Sequence, residues 1–242
     1  MLKIDKISKS YGENEIKAAD EIDITVNPGE IFGFIGPNGA GKTTTIKMIV
    51  GLLRPDEGKV EIFGRNMWEN PLEAKKIMSY VPDQPVIYDK LKGIEYLNFI
   101  ADIYEVEEKI RKERIEEYTK LFNINNDLDK MVEEYSHGMK QKLLLTSALI
   151  HDPKLLILDE PMVGLDPKSA FNLKKVMRKR CDEGNIVFFS THVLEVAENL
   201  CDRIAIISKG KIIIQGTMED IKTHANNKES LENIFLELTD YE

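Results

Sequence analysis

Residues 36–43 read Gly36-Pro37-Asn38-Gly39-Ala40-Gly41-Lys42-Thr43. This octet fits G-x-x-x-x-G-K-[ST], and its flanks fit too. Before it runs Ile31-Phe32-Gly33-Phe34-Ile35, short and apolar enough for a buried parallel strand. After it runs Thr44-Thr45-Ile46-Lys47-Met48-Ile49-Val50, which reads as a helix. Strand, glycine loop and helix in this order make a phosphate cradle. Glycines let the backbone take positive φ and approach an anion. The loop N–H groups then point inward, and the helix adds its positive dipole end. Lys42 supplies a point charge for β- and γ-phosphates. The Thr43 hydroxyl is a hard oxygen ligand for Mg2+. The octet therefore commits the chain to an α/β fold.

The 242 residues suffice for one large domain, or a domain with a subdomain. The net charge of -9 argues against a broad nucleic-acid footprint. The longest apolar run, 143–150, carries Thr146 and Ser147 and falls well short of the ~18 residues of a membrane span. Met1-Leu2-Lys3-Ile4-Asp5 shows alternate charges and no apolar signal region. The expected location is therefore cytoplasmic, with any spanning part supplied by another chain. Cys181 and Cys201 have no C-x-x-C spacing and are expected as inert thiols.

Along the chain, Leu2, Ile4 and Ile7 alternate with charges, as do Ile22, Ile24 and Val26 with polar residues, predicting strands of a partly exposed sheet. Asn27-Pro28-Gly29 and Pro55-Asp56-Glu57-Gly58 are turns, the second leading into a strand over 60–63. From about 70 to 150 the pattern becomes helical. Ile94, Leu97, Ile100 and Tyr104 form one stripe, and Ile110, Ile115, Tyr118 and Phe122 another. Ser136 is placed to cap the long apolar helix that follows. Beyond 153, strands at 155–158 and 186–189 alternate with helices at 171–181 and 193–200. A hairpin turns at Ser208-Lys209-Gly210. In the tail, Leu231, Ile234, Phe235 and Leu238 share a helical face that is expected to bury against the body.

The strand at 155–158 ends in Asp159-Glu160. A buried strand fixes the first carboxylate beside the phosphate loop, where it can hold the Mg2+ shell. Glu160 can orient or deprotonate the water that attacks the γ-phosphate. His192 follows the next strand on the same edge and is expected to touch that phosphate. Gln84, in Tyr80-Val81-Pro82-Asp83-Gln84-Pro85, offers a neutral amide to Mg2+ or water.

Together these pieces resemble the ATP-binding subunit of an ABC transporter, of the bacterial exporter type, over about residues 2–220. Gly36 to Thr43 matches the Walker A motif, and Leu155 to Asp159 matches Walker B. Glu160 falls at the catalytic glutamate, Gln84 at the Q-loop glutamine and His192 at the switch histidine. The D-loop matches Gly164-Leu165-Asp166-Pro167. Tyr11 matches the aromatic that stacks on adenine, and Thr44 extends the nucleotide contacts of Thr43. The family signature L-S-G-G-Q appears as Tyr135-Ser136-His137-Gly138-Met139, keeping Ser136 and Gly138. His137 stands where the family has a bare glycine.

The resemblance implies a RecA-like P-loop core, residues 1–84 and 150–220, with an antiparallel β subdomain. It implies an inserted helical subdomain at about 85–150 and a helical tail at 221–242. It implies ATP and Mg2+ as ligands and a head-to-tail pair of ATP-binding subunits, expected to be a homodimer. Ser136, His137, Gly138 and Asp166 would then act in trans on the second subunit's nucleotide. It also implies a separate membrane permease on the cytoplasmic face of the membrane, with Pro85-Val86-Ile87-Tyr88 as the expected docking stretch. An alternative is a soluble ABC-type ATPase of translation or DNA repair. The single cassette and the acidic balance weigh against it.

Overall fold

Apolar strands without alternation are built to be covered on both faces, and the chain supplies three of them. Ile31–Ile35, Leu155–Asp159 and Ile186–Thr191 are buried along their whole length. The computed structural model describes residues 1–12, 16–224 and 230–240. In chain order its strands are β1 (Leu2–Tyr11), β2 (Ile16–Val26), β3 (Ile31–Ile35), β4 (Glu57–Ile62), β5 (Arg65–Asn66), β6 (Met78–Val81), β7 (Leu155–Asp159), β8 (Ile186–Thr191), β9 (Arg203–Ser208) and β10 (Lys211–Thr217). Its α-helices are α1 (Lys42–Ile49), α2 (Pro71–Lys76), α3 (Gly93–Ile103), α4 (Glu108–Leu121), α5 (His137–Ile150), α6 (Pro167–Asp182), α7 (Leu194–Leu200), α8 (Met218–His224) and α9 (Leu231–Asp240).

The strands form two sheets. A six-stranded sheet has the order β10-β9-β3-β8-β7-β6, parallel except for the β9–β10 hairpin. A four-stranded antiparallel sheet has the order β2-β1-β4-β5. Period-two geometry divides the large sheet between two cores. Phe32, Phe34, Leu155, Ile157 and Phe188 face α1 and the antiparallel sheet. Leu156, Leu158, Val187 and Phe189 face the helices, including Leu97, Phe122, Leu143 and Met177. The two sheets and the helices thus make three layers, with the parallel sheet in the middle.

The segment at 85–150 is helical as expected, with α3, α4 and α5 packed together, but its core continues into the sheet face. The strand alternation of β1 first breaks at Lys6. Ile4 and Ile7 both point inward because Lys6, at φ +47°, sits in a register shift between them. Ile110, expected in the stripe of α4, is 38% exposed. It occupies the first turn, away from the contact with α5 that buries Ile115 and Thr119. The β9–β10 turn has positive φ at Lys209 and Gly210, the type I′ geometry that suits strand twist. In the tail, Leu231 and Ile234 pack on Ile35, Ala197, Ile204 and Ile206. The boundary expected at 220 falls inside α8, and the Leu238 side chain lies outside the described residues.

Candidate active site

All the expected catalytic groups lie at the C-terminal ends of parallel strands, where α/β sheets collect ligands. Strand β3 runs straight into the glycine loop and α1. Two glycines let the loop fit. A Cβ on Gly41, which has φ +106°, would lie 2.1 Å from Ala18 O. One on Gly36 would lie 2.4 Å from Ile207 O. The loop is therefore threaded between the backbones of β2 and β9. The Gly210 N–H donates to Ala40 O at 2.9 Å and ties it to the β9–β10 turn.

Lys42 opens α1, and its side chain folds over the loop. Nζ donates to Gly36 O at 2.6 Å and to Pro37 O at 3.2 Å. Burial pushes its pKa down, and the carboxylates of Glu160, Asp159 and Asp83 push it back up. Nζ lies 3.9 Å from Glu160 Oε1. Thr43 Oγ1 donates to Asp159 Oδ2 at 3.2 Å, joining the loop to the end of β7.

Asp159 is 1% exposed. Burial raises its pKa, and hydrogen bonds from Ser190 and Thr43 oppose that rise. Ser190 Oγ donates to Asp159 Oδ1 at 2.5 Å and accepts from the Glu160 N–H at 3.0 Å. One hydroxyl on β8 thus links both acids of β7. Glu160 has φ +47°, a left-handed conformation that costs a β-carbon residue roughly 1–2 kcal/mol. Its Oε2 accepts from the His192 N–H at 3.3 Å and lies 2.9 Å from His192 Nδ1.

A cleft of about 230 Å³ opens over the loop. Pro37, Asn38, Gly39, Gly41, Lys42, Thr43 and Thr44 line it from the loop, and Asp159 and Glu160 from β7. Asp83 and Ala18 complete the wall. Gln84 lines a different cleft, with Pro85, Tyr135, His137 and Lys140. The chain leaves β6 at Val81, and Asp83 rather than Gln84 lines the cleft over the loop. Tyr11 ends β1, is 47% exposed and does not line the loop cleft. Ser136 caps α5, its Oγ accepting from Met139 N–H at 3.3 Å. Asp166 caps α6, accepting from Ser169 N–H at 3.0 Å. None of Ser136, His137, Gly138 and Asp166 lines the cleft of its own chain.

Sequence reasoning missed Ser190 and Asp83. A hydroxyl ending the otherwise apolar run 186–189 was the available signal for Ser190. Asp83 had no comparable signal, since a loop acid beside a proline is ordinary.

The donor set suits Mg2+. Thr43 Oγ1 and Asp159 Oδ2 are hard oxygens already in contact at the mouth of an anion cradle. Among the described residues no three His, Cys, Asp or Glu side chains converge on one point. Such an ion would therefore complete its shell with phosphate oxygens and water. A polyphosphate cradle beside an acid pair at the strand ends defines a P-loop nucleoside triphosphatase.

Residues 19–163 match the family model described as ABC transporter. The ABC-type transporter ATP-binding protein EcsA of Bacillus subtilis (strain 168) is 33% identical over 240 residues, covering 99% of this chain and 96% of that protein. The bacitracin transport ATP-binding protein BcrA of Bacillus licheniformis is 37% identical over 92% of this chain and 71% of its own. The chain spans 59% of an uncharacterized ABC transporter ATP-binding protein of Nostoc, at 36% identity. Among solved structures, an ATP-binding subunit of an ABC transporter superposes with a TM-score of 0.94 at 32% identity, covering 98% of this chain and 99% of that one. A dimeric cassette in a post-hydrolysis state with ADP and phosphate has the same fold, with a TM-score of 0.81 at 24% identity over 90% and 99%. The chain therefore belongs to the ABC transporter family, as an ATP-binding ATPase subunit that powers transport.

Proposed function

We propose that the cleft over residues 36–43 binds Mg-ATP and hydrolyses it by in-line attack of water. The observation that carries this reading is the continuous path Thr43–Asp159–Ser190–Glu160, which links the phosphate loop to the acid pair by hydrogen bonds. On binding, the Lys42 ammonium exchanges its loop carbonyls for the β- and γ-phosphates. The loop N–H groups stabilise charge as it develops. Thr43 and Asp159 would hold the ion, which neutralises phosphate charge and orients the chain of phosphates. Asp83 faces the same cleft as a third carboxylate and would act through the ion's water shell. Glu160 orients the water and takes its proton as the new O–P bond forms and the bridging O–P bond breaks. His192, already against Glu160, holds that carboxylate and contacts the γ-phosphate.

The partner is a second copy of this chain, packed head to tail, with Ser136, His137, Gly138 and Asp166 facing its nucleotide. The dimeric cassette of the same fold supports this arrangement. Such an interface is isologous and creates two equal sites. A separate permease would hold the pair at the cytoplasmic face of the membrane. Among the described residues no helix is long and apolar enough to cross a membrane. Val86 and Tyr88, 80% and 62% exposed, offer the permease an apolar contact beside Asp83. Export is the direction favoured, because the similar LnrL of Bacillus subtilis (strain 168) is named for linearmycin resistance, which removal of a compound from the cell would give.

Purified protein with its permease tests the reading. Lys42→Ala should abolish ATP hydrolysis and weaken ATP binding, whereas Glu160→Gln should keep binding and lose turnover by at least about a hundredfold. Unchanged hydrolysis in Glu160→Gln would overturn the assignment of the general base.

A further inference from the structure

Two segments that should face the second copy's nucleotide, the start of α5 and the loop before α6, touch each other within one chain. A Cβ on Gly138 would lie 2.5 Å from Gly164 O. One on Gly164, at φ +77°, would lie 2.8 Å from His137 Cδ2. Only bare backbones can approach this closely. One turn farther along α5, Lys142 Nζ lies 2.5 Å from Asp166 Oδ2. The lysine side chain is only 12% exposed. Asp166 is fixed from its other side as well. Its Oδ1 accepts from Ser169 N–H at 3.0 Å and its Oδ2 from Ser169 Oγ at 2.7 Å. Lys142 first, then the Ser169 groups, hold this carboxyl well below the usual carboxylate range.

The glycine contact is one of shape and resists compression, but not sliding. The ion pair adds direction. Its lysine rises from a helix whose next residues, Leu143 to Leu145, are locked in the core, and its acid is the N-cap of a sixteen-residue helix. We infer that Lys142 and Asp166 form a clasp that makes the starts of α5 and α6 one rigid body, so that both reach the second copy's ATP together. Lys142 is then a positioning residue for a nucleotide bound by the other subunit. The inference rests on the two-copy reading above.

The test uses the full chain in a Glu160→Gln background, with ATP-dependent dimerisation followed by sedimentation and folding followed in urea. Lys142→Met removes the charge and keeps the stem. Asp166→Asn removes the charge and keeps the helix cap, for which Asn and Asp are equivalent. Each single variant should raise the ATP concentration for half-dimerisation about tenfold. The double variant should be no worse than either single one, the mark of residues acting as a pair. Lys142→Arg should stay within about twofold of the parent. Additive losses, or Lys142→Met variants that dimerise at the parent's ATP concentration, overturn the clasp. A lowered urea midpoint with unchanged ATP dependence assigns the pair to stability alone and also overturns it. If the Glu160→Gln parent itself stays monomeric with ATP, the two-copy reading falls and the clasp with it.

Discussion

Ser190 Oγ donates to Asp159 Oδ1 at 2.5 Å, across adjacent parallel strands and with no solvent on either side. The same oxygen receives the Glu160 N–H, so Ser190 sets the rotamer of one acid and the strained backbone of the other. Ser190→Ala leaves a buried carboxylate oxygen short of a donor. It should lower stability by about 1–3 kcal/mol. Displacement of the acids should cut turnover roughly tenfold to a hundredfold. Urea unfolding and steady-state ATPase assays measure the two effects, and Ser190→Thr should recover part of both.

Gly41 sets a steric limit on the loop. With φ +106° and a would-be Cβ 2.1 Å from Ala18 O, it admits no side chain without parting the loop from β2. Gly41→Ala should cost about 1–2 kcal/mol from the backbone alone, with the clash in addition. ATP binding, read by fluorescence titration of a labelled nucleotide, should weaken at least about tenfold. Gly39, which has positive φ but open space around its would-be Cβ, should tolerate alanine better.

Much of this site is legible in the sequence, and the reason is local. The octet Gly36 to Thr43 and the run Leu155 to Glu160 each carry chemistry in consecutive residues, so reading in order finds them. Ser190 escaped because its role needs β8 beside β7, a pairing between residues some thirty positions apart. Asp83 escaped because which residue after a strand end turns into the cleft leaves no trace in composition. Lys142 carries no signal in the sequence, and the approach of α6 gives it a partner. The fold shows the same division. Buried strands such as Ile31–Ile35 announce themselves, whereas the break in β1 at Lys6 depends on register with β2 and β4.

His151 gives the fold a pH dependence. Its ring stacks on Tyr104 at 3.6 Å, and Nε2 donates to Met78 O at 3.2 Å. Burial pulls its pKa down to about 4, a shift that the Met78 carbonyl and Asp152 oppose and Arg180 and Arg114 support. The folded state therefore holds His151 neutral. The stability this confers is fully present above the unfolded value of about 6.5 and is lost as pH falls from there towards 4. The change is on the order of 3 kcal/mol across that window. Urea midpoints between pH 7.5 and 4.5 should fall accordingly, and His151→Phe, which can keep the stack, should flatten the slope.

His192 separates binding from turnover. Its ring is 56% exposed and meets Glu160 at 2.9 Å. His192→Ala should reduce kcat by about a hundredfold with little change in nucleotide affinity, since the contact with the γ-phosphate matters most as charge develops. Equal losses in kcat and in binding would place His192 in ground-state recognition instead.

The most direct test of the whole account is sedimentation of Glu160→Gln with Mg-ATP and a count of the nucleotide retained. Two copies of the chain, each lending Ser136 and Gly138 to the other's cleft, should form a dimer that holds two ATP molecules. With ADP the same protein should remain a monomer. A monomer that binds one ATP at saturating concentration, or a dimer indifferent to the nucleotide, would contradict it.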